Sequence, residues 1–177
     1  MENQNKILDS DYLKRNGDVE VQQIISLNKF IFLSIISFGL YEVWWIYKSW
    51  RFFQQKEKID IRPALRAIFS IFFLVLLFNK ILDFAKEKGY NNYYYSILLF
   101  LGFLILNILS NSLEQFRLMS ILNFIFLIPP FKALNFAKQK SSDFIVYEQT
   151  SFNGRQIVLI VIGVIFWSLN LLGLIMS

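Results

Sequence analysis

Five apolar runs, set between links and a polar tail that hold every charged side chain except Glu42, leave this chain few ways to fold. The runs are Phe30–Tyr47, Ala67–Phe78, Tyr93–Leu109, Leu118–Phe131 and Ile157–Met176. A helix needs about 20 apolar residues to cross the hydrocarbon core of a bilayer. The last run reaches that length alone. The second reaches it by recruiting Arg66 and Lys80, whose stems can lie along apolar surface while their charges stay in water. Composition agrees, since 55% of the residues are hydrophobic and 20 are Phe, against about 45–50% apolar in a soluble domain. The expected fold is all-α and integral to a membrane, with four to five transmembrane segments. A polar N-terminal tail, 1–28, precedes a single helical membrane domain, 29–177. The tail lacks the basic start, apolar core and small-residue cleavage site of a secretory signal and is expected to stay on the mature protein. Within it, Val19–Leu27 is read as a short strand or an interfacial segment.

One stretch occurs twice. Lys80-Ile-Leu-Asp-Phe-Ala-Lys-Glu-Lys88 returns as Lys132-Ala-Leu-Asn-Phe-Ala-Lys-Gln-Lys140, with six of nine positions identical and two acids exchanged for their amides. Each copy follows one apolar run and precedes another. The chain therefore reads as a repeated span, amphipathic helix and span, with units at about 63–110 and 118–177. In the first copy Phe78, Ile81, Leu82 and Ala85 share a face, opposite Lys80, Asp83 and Glu87. Asp60 is expected to cap the helix that Pro63 opens, and Gly89 to end it. Pro129-Pro130 is expected to break or kink the fourth run, because two backbone donors are lost there.

The chain has no Cys and no His. Disulfides, thiolate nucleophiles, zinc sites of the usual kind and a neutral-pH imidazole base are therefore excluded. The 13 acidic residues show no calcium-loop spacing. No cofactor and no catalytic set is expected. The net charge of +5 lies in the links, where it suits anionic lipid headgroups better than nucleic acid.

At Ser37-Phe-Gly-Leu-Tyr-Glu-Val-Trp-Trp-Ile-Tyr-Lys-Ser-Trp50 the chain resembles a family of small bacterial multi-pass membrane proteins, known as a domain of unknown function. Its signature is of the form Gly-x-Tyr-x-x-x-Trp-x-Tyr-Lys, carried here by Gly39, Tyr41, Trp45, Tyr47, Lys48 and Trp50. Arg62–Phe69 is similar to the start of the family's next segment, and Asn153-Gly154 with the final run is similar to its close. The resemblance implies a multi-pass protein of a bacterial inner membrane and no particular activity.

Glu42 is the sharpest single candidate. A carboxylate inside a membrane run costs about 2.5–3.5 kcal/mol at mid-bilayer and marks a functional site by default. The competing structural reading pairs it with Arg66 or Lys48. Lys80, Lys86, Lys88, Lys132, Lys138 and Lys140 are candidates for lipid-headgroup contact. Asp83 and Glu87 face the same way, but the second copy replaces both, so a solvated surface explains them better. Asn107, Asn123 and Asn170 are read as interhelical hydrogen bonders. The aromatic cluster at 41–50 is read as a boundary anchor rather than a cation cage. Gly102, Gly163 and Gly173 form no Gly-x-x-x-Gly face.

If all five runs cross, eleven Lys and Arg share a side with the N-terminus and seven lie opposite. That margin places the N-terminus in the cytoplasm. Six of the seven cluster between Lys48 and Arg66, and a first run that enters and leaves on one side relieves the conflict. Either way, both repeat copies lie on one side. The expected function is that of a non-enzymatic membrane protein acting through lipid or protein contacts, with itself or another membrane protein as partner and no nucleic acid. The alternative is a small channel or transporter with a polar path past Glu42 and Asn123.

Overall fold

The computed structural model describes residues 21–112, 119 and 121–176. In chain order its elements are β1 (Gln22–Ile24), α1 (Leu27–Ile36), α2 (Leu40–Glu57), α3 (Pro63–Ile68), α4 (Ser70–Glu87), α5 (Ser96–Ser112), α6 (Phe124–Lys140), β2 (Val146–Glu148) and α7 (Gly154–Met176). The described chain is thus mostly helical, as expected. Among the described residues one stretch, Ile121–Lys140, is long and apolar enough to cross a membrane, and 56% of it is buried. Leu27–Ile36, Ser96–Ser112 and Gly154–Asn170 are apolar but shorter.

The first apolar run is not one helix. Phe38 and Gly39 both take positive φ, 52° and 85°, which ends α1 and turns the chain back. The Ser37 hydroxyl then accepts the Tyr41 N–H at 3.0 Å and caps the first turn of α2. The two helices lie against each other, with Phe30 touching the rings of both Tyr41 and Trp45. The second run is also interrupted, at Phe69 (φ −91°, ψ 38°), between α3 and α4. Pro63 opens α3 as expected, but no side chain caps it, so Asp60 does not serve. Gly89, at φ 87°, ends α4 with the Tyr90 N–H bonded back to the Ala85 carbonyl. By contrast α6 runs unbroken through Pro129-Pro130. Proline's fixed φ fits a helix, and the flanking Leu127 and Phe131 are locked in the core at 0% and 2% exposure.

The repeat copies pack side by side as α4 and α6. Their shared positions supply the contact: Ile81, Leu82 and Ala85 of one copy and Ala133, Leu134 and Ala137 of the other are all buried. Their C-terminal ends meet where Lys88 pairs with Asp143 at 3.3 Å. Both copies therefore lie at one end of the molecule. The core continues into α2, where Trp50 is buried and Phe52 and Phe53 pack against Phe84 and Phe144. The sequence leads one to expect Trp45 and Trp50 at a membrane boundary and the end of α2 in water. Both rings lie inside the core instead, and only Trp44 is exposed.

β1 and β2 pair in parallel, Gln22 opposite Val146. Lys29 donates to the carbonyls of Gln149, at 2.6 Å, and Thr150. Asn135 donates to the carbonyl of Ile25. These bonds put the start of α1, the end of α6 and the start of α7 at the same end as the repeat copies. The α1–α2 turn reaches along α7: the Phe38 ring contacts Phe166 and Trp167, and Gly163 sits against the Ile36 carbonyl. Gly163 lies about 14 Å along α7 from its first residue.

Candidate functional site

Lys48, Arg51 and Gln55 recur at helical spacing on α2 and so share a face. That face borders a cavity of about 840 Å³ beneath the strand pair, closed by α6 and by the start of α7. Trp44, Trp45 and Phe131 form its apolar side. Lys48, Arg51, Lys138 and Arg155 line it with positive charge, and none of its described lining residues is acidic. The Lys48 ammonium and the Arg155 guanidinium both lie over the Trp44 ring, at 5.9 and 5.8 Å.

Lys138 departs from expectation. It is the repeat counterpart of Lys86, which is exposed, yet Lys138 is only 7% exposed. Its ammonium stands 4.5 Å from the centre of the Phe52 ring. It is not a headgroup contact on the outer surface. The other five lysines are more open: Lys80 pairs with Glu57 and Lys88 with Asp143, while Lys86, Lys132 and Lys140 are exposed.

One wall of the cavity is fixed by a hydrogen-bonded set at the start of α7. The Gln156 N–H donates to the Asn153 side chain and the Asn153 N–H returns a bond to the Gln156 side chain, each at 3.0 Å. This reciprocal capping box holds the first turn. Gln149 donates to the same Gln156 oxygen at 2.6 Å, and the Gln156 amide donates to the Tyr41 hydroxyl at 3.3 Å. The set therefore joins α2, α7 and the link after β2.

Glu42 is 3% exposed and lies outside that cavity. It forms no ion pair with Arg66 or Lys48, whose cations sit over Trp50 (4.4 Å) and Trp44. Its carboxylate accepts the Phe124 backbone N–H, while Oε1 is buried without a hydrogen-bond partner. The neighbouring Asn123 side-chain oxygen is in the same state. The structure thus brings Glu42 beside Asn123 and leaves Arg66 elsewhere, filling an aromatic cleft between Trp50 and Phe73. Asn107 and Asn170 bond to carbonyls of their own helices, Phe103 and Phe166, rather than across helices. Asp83 and Glu87 are exposed.

The cavity's cations were legible only in part. The i, i+3, i+7 pattern of Lys48, Arg51 and Gln55 is visible in the sequence, but nothing local announces that Lys138 and Arg155 close on the same space. No family model, no curated protein and no solved structure matches this chain.

Proposed function

We propose a non-enzymatic membrane protein that acts through lipid and protein contacts in its own bilayer. The observation that carries this reading is the segregation of charge from exposed apolar surface. Ile97, Leu98 and Ile105 on α5, Ile165 and Leu169 on α7, and Ile68 and Phe72 at the α3–α4 break are each more than half exposed. Exposed apolar surface on this scale calls for a non-aqueous neighbour. Lys29, Lys48, Arg51, Lys88, Lys138 and Arg155 gather where the repeat copies and the strand pair meet.

In this reading α5, α6 and α7 cross the bilayer, while α1–α2 and α3–α4 enter and leave on the charged side. Three crossings replace the four to five expected from hydropathy. The non-helical turn at Ser37–Gly39 is tolerated at depth because it is packed within the protein, Ser37 being 3% exposed. The arrangement also relieves the charge conflict. In it the described Lys and Arg share one side of the bilayer, and the positive-inside rule then favours the cytoplasm for that side. The resemblance to small bacterial membrane proteins suggests an inner membrane.

Single cysteines test this without background, since the chain has none. Lys58→Cys and Ser142→Cys are expected to react with an impermeant maleimide from one side and Ser112→Cys from the other. If Lys58 instead labels together with Ser112, all five runs cross and the hairpin arrangement fails.

A second reading, a small channel or transporter, is favoured by one observation. Glu42 and Asn123 each hold a buried oxygen without a hydrogen-bond partner, and such groups are uncommon outside functional sites. Purified protein in liposomes is then expected to conduct protons or ions, with the flux reduced in Glu42→Gln. Flux no greater than in protein-free liposomes would end this reading.

A further inference from the structure

We propose that the cavity beneath the β1–β2 pair binds the phosphate group of an anionic membrane lipid, with Lys138 as its buried anchor. The inference rests on the membrane reading above and gives it a specific ligand site.

Three observations converge on it. Lys48, Arg51, Lys138 and Arg155 line one space with no acidic side chain among its described lining residues. An ammonium has three donors to satisfy, and among the described residues that of Lys138 meets the face of Phe52 and the like charge of Lys48. Burying a charge without a hydrogen-bonded partner is costly, and a phosphate oxygen removes that cost with a charge-assisted hydrogen bond.

The repeat supplies the second observation. Lys86 occupies the matching position of the first copy and is exposed. The local pattern shared by the two copies therefore does not force this lysine inward, and its burial comes from the space that α6 borders. The third observation is the shape of that space. Its lining also includes Leu40, 61% exposed, and Trp44, 39% exposed, together with Leu159. These continue into the exposed apolar surface of α2 and α7. A polar head at Lys138 with a chain leaving past Leu40 and Leu159 matches both ends, whereas a free phosphate uses only one. The volume, about 840 Å³, is within the range of ligand pockets, about 300–1,000 Å³.

The test uses the full chain in a neutral detergent, titrated with phosphatidylglycerol, phosphatidylcholine or inorganic phosphate, reading the thermal unfolding midpoint. Phosphatidylglycerol is expected to raise the midpoint in a saturable way, and the other two to do so weakly. Lys138→Met is expected to weaken apparent affinity for phosphatidylglycerol about tenfold or more, while Lys86→Met leaves it unchanged. Without lipid, Lys138→Met is expected to unfold no earlier than the wild type, because it removes a desolvated cation that faces Lys48. If Lys138→Met does not fold, Lys48→Gln, exposed on the same cavity, takes its place with the same expectation of weakened binding. Equal losses in the Lys86 and Lys138 variants mean general surface attraction and overturn the proposal. A full response to inorganic phosphate assigns the site to a free anion and overturns the lipid. Partition of the chain into phosphatidylcholine bilayers separates the two levels. A chain that partitions but ignores phosphatidylglycerol loses only the site, and one that stays in water loses the membrane reading as well.

Discussion

Asp143 ties the end of the first repeat copy to the link that follows the second, on a single exposed carboxylate. The Ser141 hydroxyl donates to it at 3.0 Å and Lys88 pairs with it at 3.3 Å. The hydroxyl bond, followed by the bond and charge of Lys88, holds its pKa below the usual carboxylate value of 3.8. A depressed folded-state pKa contributes stability above the unfolded value, and that contribution is lost as pH falls through the folded one. The contact should therefore be intact at neutral and mildly acid pH and fail only in strong acid. Unfolding midpoints of wild type and Asp143→Asn, measured across pH in one detergent, are expected to differ slightly near neutrality and converge below about pH 3. A gap that widened on acidification would contradict this. The difference should be small, because an exposed pair is screened by water and salt.

At the scale of elements, the α1–α2 hairpin is the feature the sequence left open and the packing decides. Gly39 at the centre of an apolar run allowed a reversal, but the run's length equally allowed a crossing. The deciding partners are distant: Phe166, Trp167 and Gly163 on α7 receive the turn. Gly163 was legible as a glycine without a Gly-x-x-x-Gly partner, and its role needed the Ile36 carbonyl to be placed beside it. A Cβ at Gly163 would overlap that backbone oxygen, whereas one at Gly102 would meet only the movable Phe126 ring. Gly163→Ala is therefore expected to lower stability by about 1–3 kcal/mol and Gly102→Ala by less. Denaturant unfolding in detergent measures both, and equal losses would mean that the hairpin does not seat on α7 this closely. The helical character of the chain, the buried face of the first copy and the stop at Gly89 were readable because they depend on local spacing. The burial of Lys138 and the setting of Glu42 were not, since both depend on residues more than 80 positions away.

Taken as a whole, one end of the molecule carries the cavity's four cations, the strand pair and both repeat copies, and α5 and α7 present exposed apolar faces. The parallel pairing of Gln22 with Val146 has a further consequence, for the order of assembly. A chain made from its N-terminus exposes β1 and the α1–α2 hairpin long before their seats exist, since Lys29 must wait for Gln149, 120 residues later. At the 5–20 residues per second of synthesis that wait lasts about 6–24 s. The hairpin's bed on α7 is completed later still. During translation the α1–α2 hairpin must therefore be kept in a provisional place, and its final position is sealed when α7 emerges.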